Sequence, residues 1–145
     1  MPAHDRTLEV LREWIAKAEN DLKTAAHTLK LGEECPTDST CFHAQQCAEK
    51  YVKAALIHAG IDVPTTHDLE RLLALAPEEV RPALSPEEQA ILTEYAVAAR
   101  YPGWGEVSLA EARRAVALAR RIRREVRAVL PKAALRRSRK PQPTG

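Results

Sequence analysis

Aromatic residues are scarce in this chain: one Phe, two Trp and three Tyr make up 4% of its 145 residues. A core short of rings must be filled by aliphatic side chains and alanine packed closely together. That favours helices lying near one another over a β-sandwich, which draws on aromatic and β-branched residues. Strand-like alternation, a glycine-rich phosphate loop and internal repeats are all missing. No apolar run approaches the roughly 20 residues that span a bilayer. The opening Met1-Pro2-Ala3-His4-Asp5-Arg6 also lacks the apolar stretch of a secretory signal. The expectation is a cytoplasmic protein with no membrane contact. Cysteine is limited to Cys35, Cys41 and Cys47, an odd count in a chain large enough for a core, so free thiols are expected.

What is present is the balance of one globular domain, 45% hydrophobic and 29% charged. Leu8, Leu11, Ile15, Ala18, Leu22, Ala25 and Leu29 step by three and four residues, a single stripe on one long helix. Thr7 reads as its N-cap and Gly32 as its stop. A second helix is expected from Ser39 or Thr40 to Gly60. Its apolar arc (Cys41, Ala44, Ala48, Tyr51, Val52, Ala55, Leu56, Ala59) is wide and alanine-rich, as in a central helix or one that also meets a second subunit. Gln46, Glu49, Lys50 and Lys53 fall on the other side. Thr66 reads as the cap of a short third helix carrying His67, Leu69, Leu72 and Leu73. Ser85-Pro86-Glu87-Glu88 and Ser108 with Glu111 are capping boxes that open a fourth and a fifth helix. The expected fold is all-α, an up-and-down antiparallel bundle of four to five helices over residues 1–131.

Charge is unevenly distributed. Residues 1–110 hold 10 Lys/Arg against 18 Asp/Glu, a net −8, whereas residues 111–145 hold 12 against 2, a net +10. Residues 132–145 carry no core-forming pattern and read as a basic disordered tail. Arg113, Arg120, Arg124 and Arg127 make a stripe on the last helix, with Arg114 and Arg121 beside it. Such a stripe attracts nucleic acid weakly by counterion release, or is simply a solvated face.

Several sequence pieces, in this order, resemble the HEPN family. They are Trp14, Ala18 and Asp21-Leu22 on the first helix; Phe42-His43-Ala44-Gln45-Gln46-Cys47-Ala48-Glu49-Lys50-Tyr51-Val52-Lys53-Ala54-Ala55-Leu56 on the second; Thr66-His67-Asp68-Leu69; and Tyr95 followed by Ala99-Arg100-Tyr101-Pro102. The resemblance spans roughly residues 7–130. It implies a helical bundle that forms a homodimer and works beside a separately encoded minimal nucleotidyltransferase, as its substrate-binding partner or as the toxin of a toxin–antitoxin pair. Many HEPN proteins are ribonucleases whose site is an Arg, four to six residues and a His. That motif is absent: after Arg100 the required positions are Gly105, Glu106 and Val107, and all five histidines precede Arg100.

The remaining candidates for chemistry read more simply as structure. His43 and Cys47 share the i, i+4 spacing of a metal-ligand pair, but no second pair accompanies them, so no metal and no cofactor is expected. His58 falls in the apolar arc and is expected buried, donating to a carbonyl. Asp68 suits a helix N-terminus, and Glu49 with Lys53 is an ordinary i, i+4 pair. Arg100 beside Tyr101 offers a planar donor fork next to a ring, which suits a phosphate and a base together, with Lys50 and Lys53 as neighbours. The sequence therefore reads as a non-catalytic, dimeric binding protein of a nucleotide-handling system. A ribonuclease toxin and a protein-only adaptor are the alternatives.

Overall fold

The computed structural model describes residues 3–98, 102 and 107–136, and every described element is helical. Helix α1 (Ala3–Leu29) leads through a 3-10 turn at Gly32–Glu34 into α2 (Thr37–His58). A short α3 (Leu69–Leu75) and a second 3-10 turn (Glu78–Val80) precede α4 (Pro86–Ala98). Helix α5 (Leu109–Val129) and a four-residue α6 (Lys132–Leu135) complete the bundle.

The stripe on α1 is what seats it. Leu11, Ile15, Ala18, Leu22 and Ala25 are all buried against α2, and Leu8 and Leu29 pack at the ends. Gly32, at φ 58°, takes the left-handed conformation that turns the chain back, so α1 and α2 lie side by side. Helix α2 ends in a Schellman motif. Ile61 donates its amide to Leu56 O, Gly60 donates to Ile57 O, and Gly60 stands at φ 77°.

Helix α2 is the axis of the bundle. It packs chiefly on α1, then on α5, and less on α4 and α3. Most of its breadth of alanine is accounted for within the chain: Ala44, Ala48 and Ala55 of the arc, and Ala54 beside them, are fully covered, while Ala59 at the end is partly exposed. A second subunit is therefore not needed to bury that arc.

The capping residues sort into met and unmet expectations. Ser85 and Glu88 form a complete box, with Glu88 N donating to Ser85 Oγ at 3.1 Å and Ser85 N to Glu88 Oε1 at 2.9 Å. Ser108 accepts from Glu111 N at 3.1 Å, but the Glu111 carboxylate receives the Tyr95 hydroxyl at 3.2 Å instead of closing a box. Thr66 is not the cap of α3. Asp68 is, accepting from the amides of Glu70 and Arg71, because the chain turns helical only at Leu69.

The expected tail boundary at residue 132 also shifts. Residues 132–135 form α6, whose Ala134 is buried and whose Leu135 packs on the core. Arg12 of α1 grips the Ala133 carbonyl with two guanidinium bonds, at 3.1 and 2.9 Å. The four-residue spacing after Pro131 was too short to show a period, and its polar anchor lies 121 residues upstream.

Candidate functional site

Two ionic clusters flank α1, one on each side. The first lies where α1, α2 and the segment before α3 meet. Gln45, Glu49 and Lys53 recur every fourth residue, which stacks them on one face of α2. All three are buried. The Glu49 carboxylate, 3% exposed, accepts from Gln45 Nε2 at 3.1 Å and Lys53 Nζ at 3.1 Å, and His67 Nδ1 lies 2.9 Å from its Oε1. The Lys53 ammonium also stands 5.6 Å from the centre of the Trp14 ring, a cation–π contact. One turn around the helix, Asp21 of α1 pairs with Lys50 and with His43, whose Nδ1 is 2.9 Å away. The His43 ring meets Phe42 edge-on.

This face is not the open polar surface expected for Glu49 and Lys53. Trp14 and His67 cover it, so Glu49–Lys53 is a buried pair and not an ordinary exposed one. Lys50 and Lys53, expected beside a nucleotide, are brought to the same face, and each already holds a carboxylate. Arg100 and Tyr101, the other expected nucleotide contacts, lie outside the described residues. His58 is exposed, contrary to the buried position expected of it, because it is the last residue of α2 and lies beyond Leu56, the last buried one.

The second cluster lies between α1 and α5. Arg120, Arg123, Arg124 and Arg127, with Leu22 at the base, line an open hollow of about 420 Å³. Glu19 of α1 is the counter-charge. Arg123 Nε donates to its Oε1 at 2.5 Å, Arg127 Nη1 stands 3.7 Å from the same oxygen, and the Tyr51 hydroxyl donates to it from α2. Burial alone would raise the Glu19 pKa, but the hydrogen bonds from Arg123 and Tyr51 and the charges of Arg123 and Arg127 hold it below the usual carboxylate value. Tyr51 is pushed the other way, chiefly by burial and by its bond to Glu19. Arg120 and Arg124 are exposed and make no hydrogen bond or ion pair among the described residues.

Of the arginine stripe expected on the last helix, Arg120, Arg124 and Arg127 share the hollow, while Arg113 is exposed outside it. Arg123 was missed because it sits at the edge of the stripe, and only its reach to Glu19, 104 residues away, brings it in. Arg121 serves the fold, bonding Glu88 Oε1 and the Ala83 carbonyl at 2.9 Å each.

Neither cluster offers an activated nucleophile. Burial pushes the thiols of Cys41 and Cys47 up to about 12, leaving them protonated at neutral pH. Cys35 lies 3.2 Å from the Thr40 hydroxyl. Among the described residues no three His, Cys, Asp or Glu side chains are grouped to hold a metal ion, and no helix is long and apolar enough to cross a membrane.

Comparison with known proteins gives two matches. The HEPN domain model matches residues 11–129. The crystal structure of the protein TT1696 from Thermus thermophilus is similar, with 30% sequence identity and a TM-score of 0.69, over 83% of this chain and 98% of that one. No curated protein matches.

Proposed function

We propose that this chain, which belongs to the HEPN domain family, is a non-catalytic, dimeric binding protein of a nucleotide-handling system. In this reading it is the partner or substrate-binding subunit of a separate minimal nucleotidyltransferase. One observation carries the preference for binding over bond-breaking. The carboxylates where α1 meets α2 are enclosed by their own partners, Glu49 of α2 by Gln45, Lys53 and His67, and Asp21 of α1 by His43 and Lys50. A general base needs an open approach to the proton it takes, and these groups are placed to hold side chains together. The lack of a His separated from Arg100 by four to six residues points the same way.

Support for a dimer comes from α4. Its inner side buries Leu92 and Tyr95, yet Val97 on the opposite side stays 42% exposed and Ile91 at the edge of the buried side 36%. A helix apolar on both sides favours a further partner. Light scattering should then give twice the 16.1 kDa of one chain, and the monomer mass at micromolar concentration would contradict it.

Arg100 and Tyr101 follow α4 directly in the sequence and are the proposed mononucleotide contacts, with Lys50 and Lys53 orienting neighbours and not supplying free charge. Calorimetric titration with AMP should show binding that Arg100→Ala weakens by roughly 1.5–3 kcal/mol, the worth of a charge-assisted hydrogen bond. Single-turnover incubation with labelled RNA should leave the RNA intact. Cleavage that Arg100→Ala abolishes would replace this reading with that of a ribonuclease.

A further inference from the structure

The arginine hollow between α1 and α5 has more positive charge than its own structure uses. Spacings of three and four residues put each of Arg120, Arg123, Arg124 and Arg127 about one turn from another of the set, along one side of two turns of α5, an arrangement that costs free energy by like-charge repulsion unless something offsets it. Among the described residues their ion pairs are with Glu19 of α1, which engages Arg123 and Arg127. Arg120 and Arg124 are left without a counter-charge among the described residues.

The geometry prepares two of the four for a ligand. Each guanidinium carries five N–H donors in a fixed fork. Arg123 commits its Nε to Glu19, and Arg127 directs Nη1 toward Glu19 and the Tyr51 hydroxyl. The remaining donors of both are held in place without being consumed. The volume of about 420 Å³ falls in the range of small-molecule sites. Its lining holds no aromatic ring, so it has no platform on which a base could stack.

We propose that this hollow is a binding site for a compact oligophosphate group, either inorganic or carried on a nucleotide. Arg120 and Arg124 supply the free charge, and Arg123 and Arg127 are oriented behind them by Glu19. The site goes beyond the function proposed above, since it is separate from the face of Glu49 and Lys53 and does not involve Arg100.

The test is calorimetric titration of the full chain at fixed salt with inorganic tripolyphosphate, ATP and adenosine. Tripolyphosphate and ATP should bind and adenosine should not; similar affinities for the first two would place recognition on the phosphates, whichever molecule carries them. Arg120→Ala combined with Arg124→Ala should weaken tripolyphosphate by at least about tenfold, as loss of two guanidinium–phosphate contacts requires. Arg113→Ala combined with Arg114→Ala removes the same charge from the same helix outside the hollow. It should weaken binding by less than about threefold, the effect of screened, distant charge. Equal losses from the two pairs would mean diffuse attraction and would overturn the site. So would absence of tripolyphosphate binding, adenosine binding as tight as ATP, or affinity confined to long single-stranded RNA. Because the Arg100 test reads AMP affinity, either proposal can fail while the other stands.

Discussion

The two sides of α1 carry similar residue types and use them in opposite ways. Toward α2 and α3, two carboxylates meet two lysines and two histidines, with Glu49 and Lys53 buried and Lys53 beneath Trp14. Toward α5, four arginines line an open hollow and one carboxylate pairs with two of them. Where charge is matched and buried, its removal leaves an unpaired ion in a dry place, so it acts as structure. Where charge is in excess and open to water, it is costly to assemble and easy to lose, so a ligand is what would balance it. The lesson is that counting charged residues on a helix says little until their partners are known.

The largest effect should come from the matched side. Glu49→Ala strands the Lys53 ammonium, only 10% exposed, and should cost about 3–5 kcal/mol in urea unfolding, as expected for a broken buried pair. A loss below about 1 kcal/mol, the worth of an exposed pair, would erase the contrast between the two sides.

Next in size is the end of the bundle. Truncation after Pro131 removes the buried Ala134, the packed Leu135 and both Arg12 bonds to Ala133. A hydrogen bond to a charged group alone is worth about 1.5–3 kcal/mol, so a loss near 2 kcal/mol is expected. Removal of residues 137–145 only should leave the melting temperature unchanged. If both truncations behave alike, α6 adds nothing.

A smaller effect should follow pH. Glu19 has a folded pKa below its usual 4.5, so its contribution is fully present above that value and lost as pH falls through the lower folded one. Glu88, held down by Arg121 and by its cap bond to Ser85, acts in the same direction. Glu19→Gln should therefore make stability fall less steeply in the acid range than in the wild type. Parallel acid titrations of the two proteins by circular dichroism would check this, and coincident slopes would deny Glu19 its part.

The smallest change is expected from the excess side. Arg120→Ala with Arg124→Ala should leave stability within about 0.5 kcal/mol of the wild type, as for surface residues without partners.

How far the sequence foretold this molecule follows the physics of each feature. The stripe on α1, the Ser85 box and the width of the α2 arc are local patterns, and a helix expresses them directly. Asp68 lost its place to Thr66 because both can accept from a following amide, and only the backbone decides between them. The burial of Glu49 and the capture of Arg123 by Glu19 depend on residues 18 and 104 positions away, which no helical period encodes. The i, i+4 pairing of Glu49 with Lys53 was legible in the helical spacing, whereas that of Lys50 with Asp21 was not, since a crossing between helices settles it. The docking of α6 was hidden for the same reason.

Thermal unfolding with and without saturating tripolyphosphate tests the central contrast most directly, using the wild type, Glu49→Gln and the Arg120→Ala, Arg124→Ala double variant. Binding to the folded state alone raises the melting temperature. The account predicts that Glu49→Gln melts lower but keeps the wild-type increment, while the double variant melts like the wild type and loses the increment. An increment lost in Glu49→Gln and kept in the double variant would contradict it.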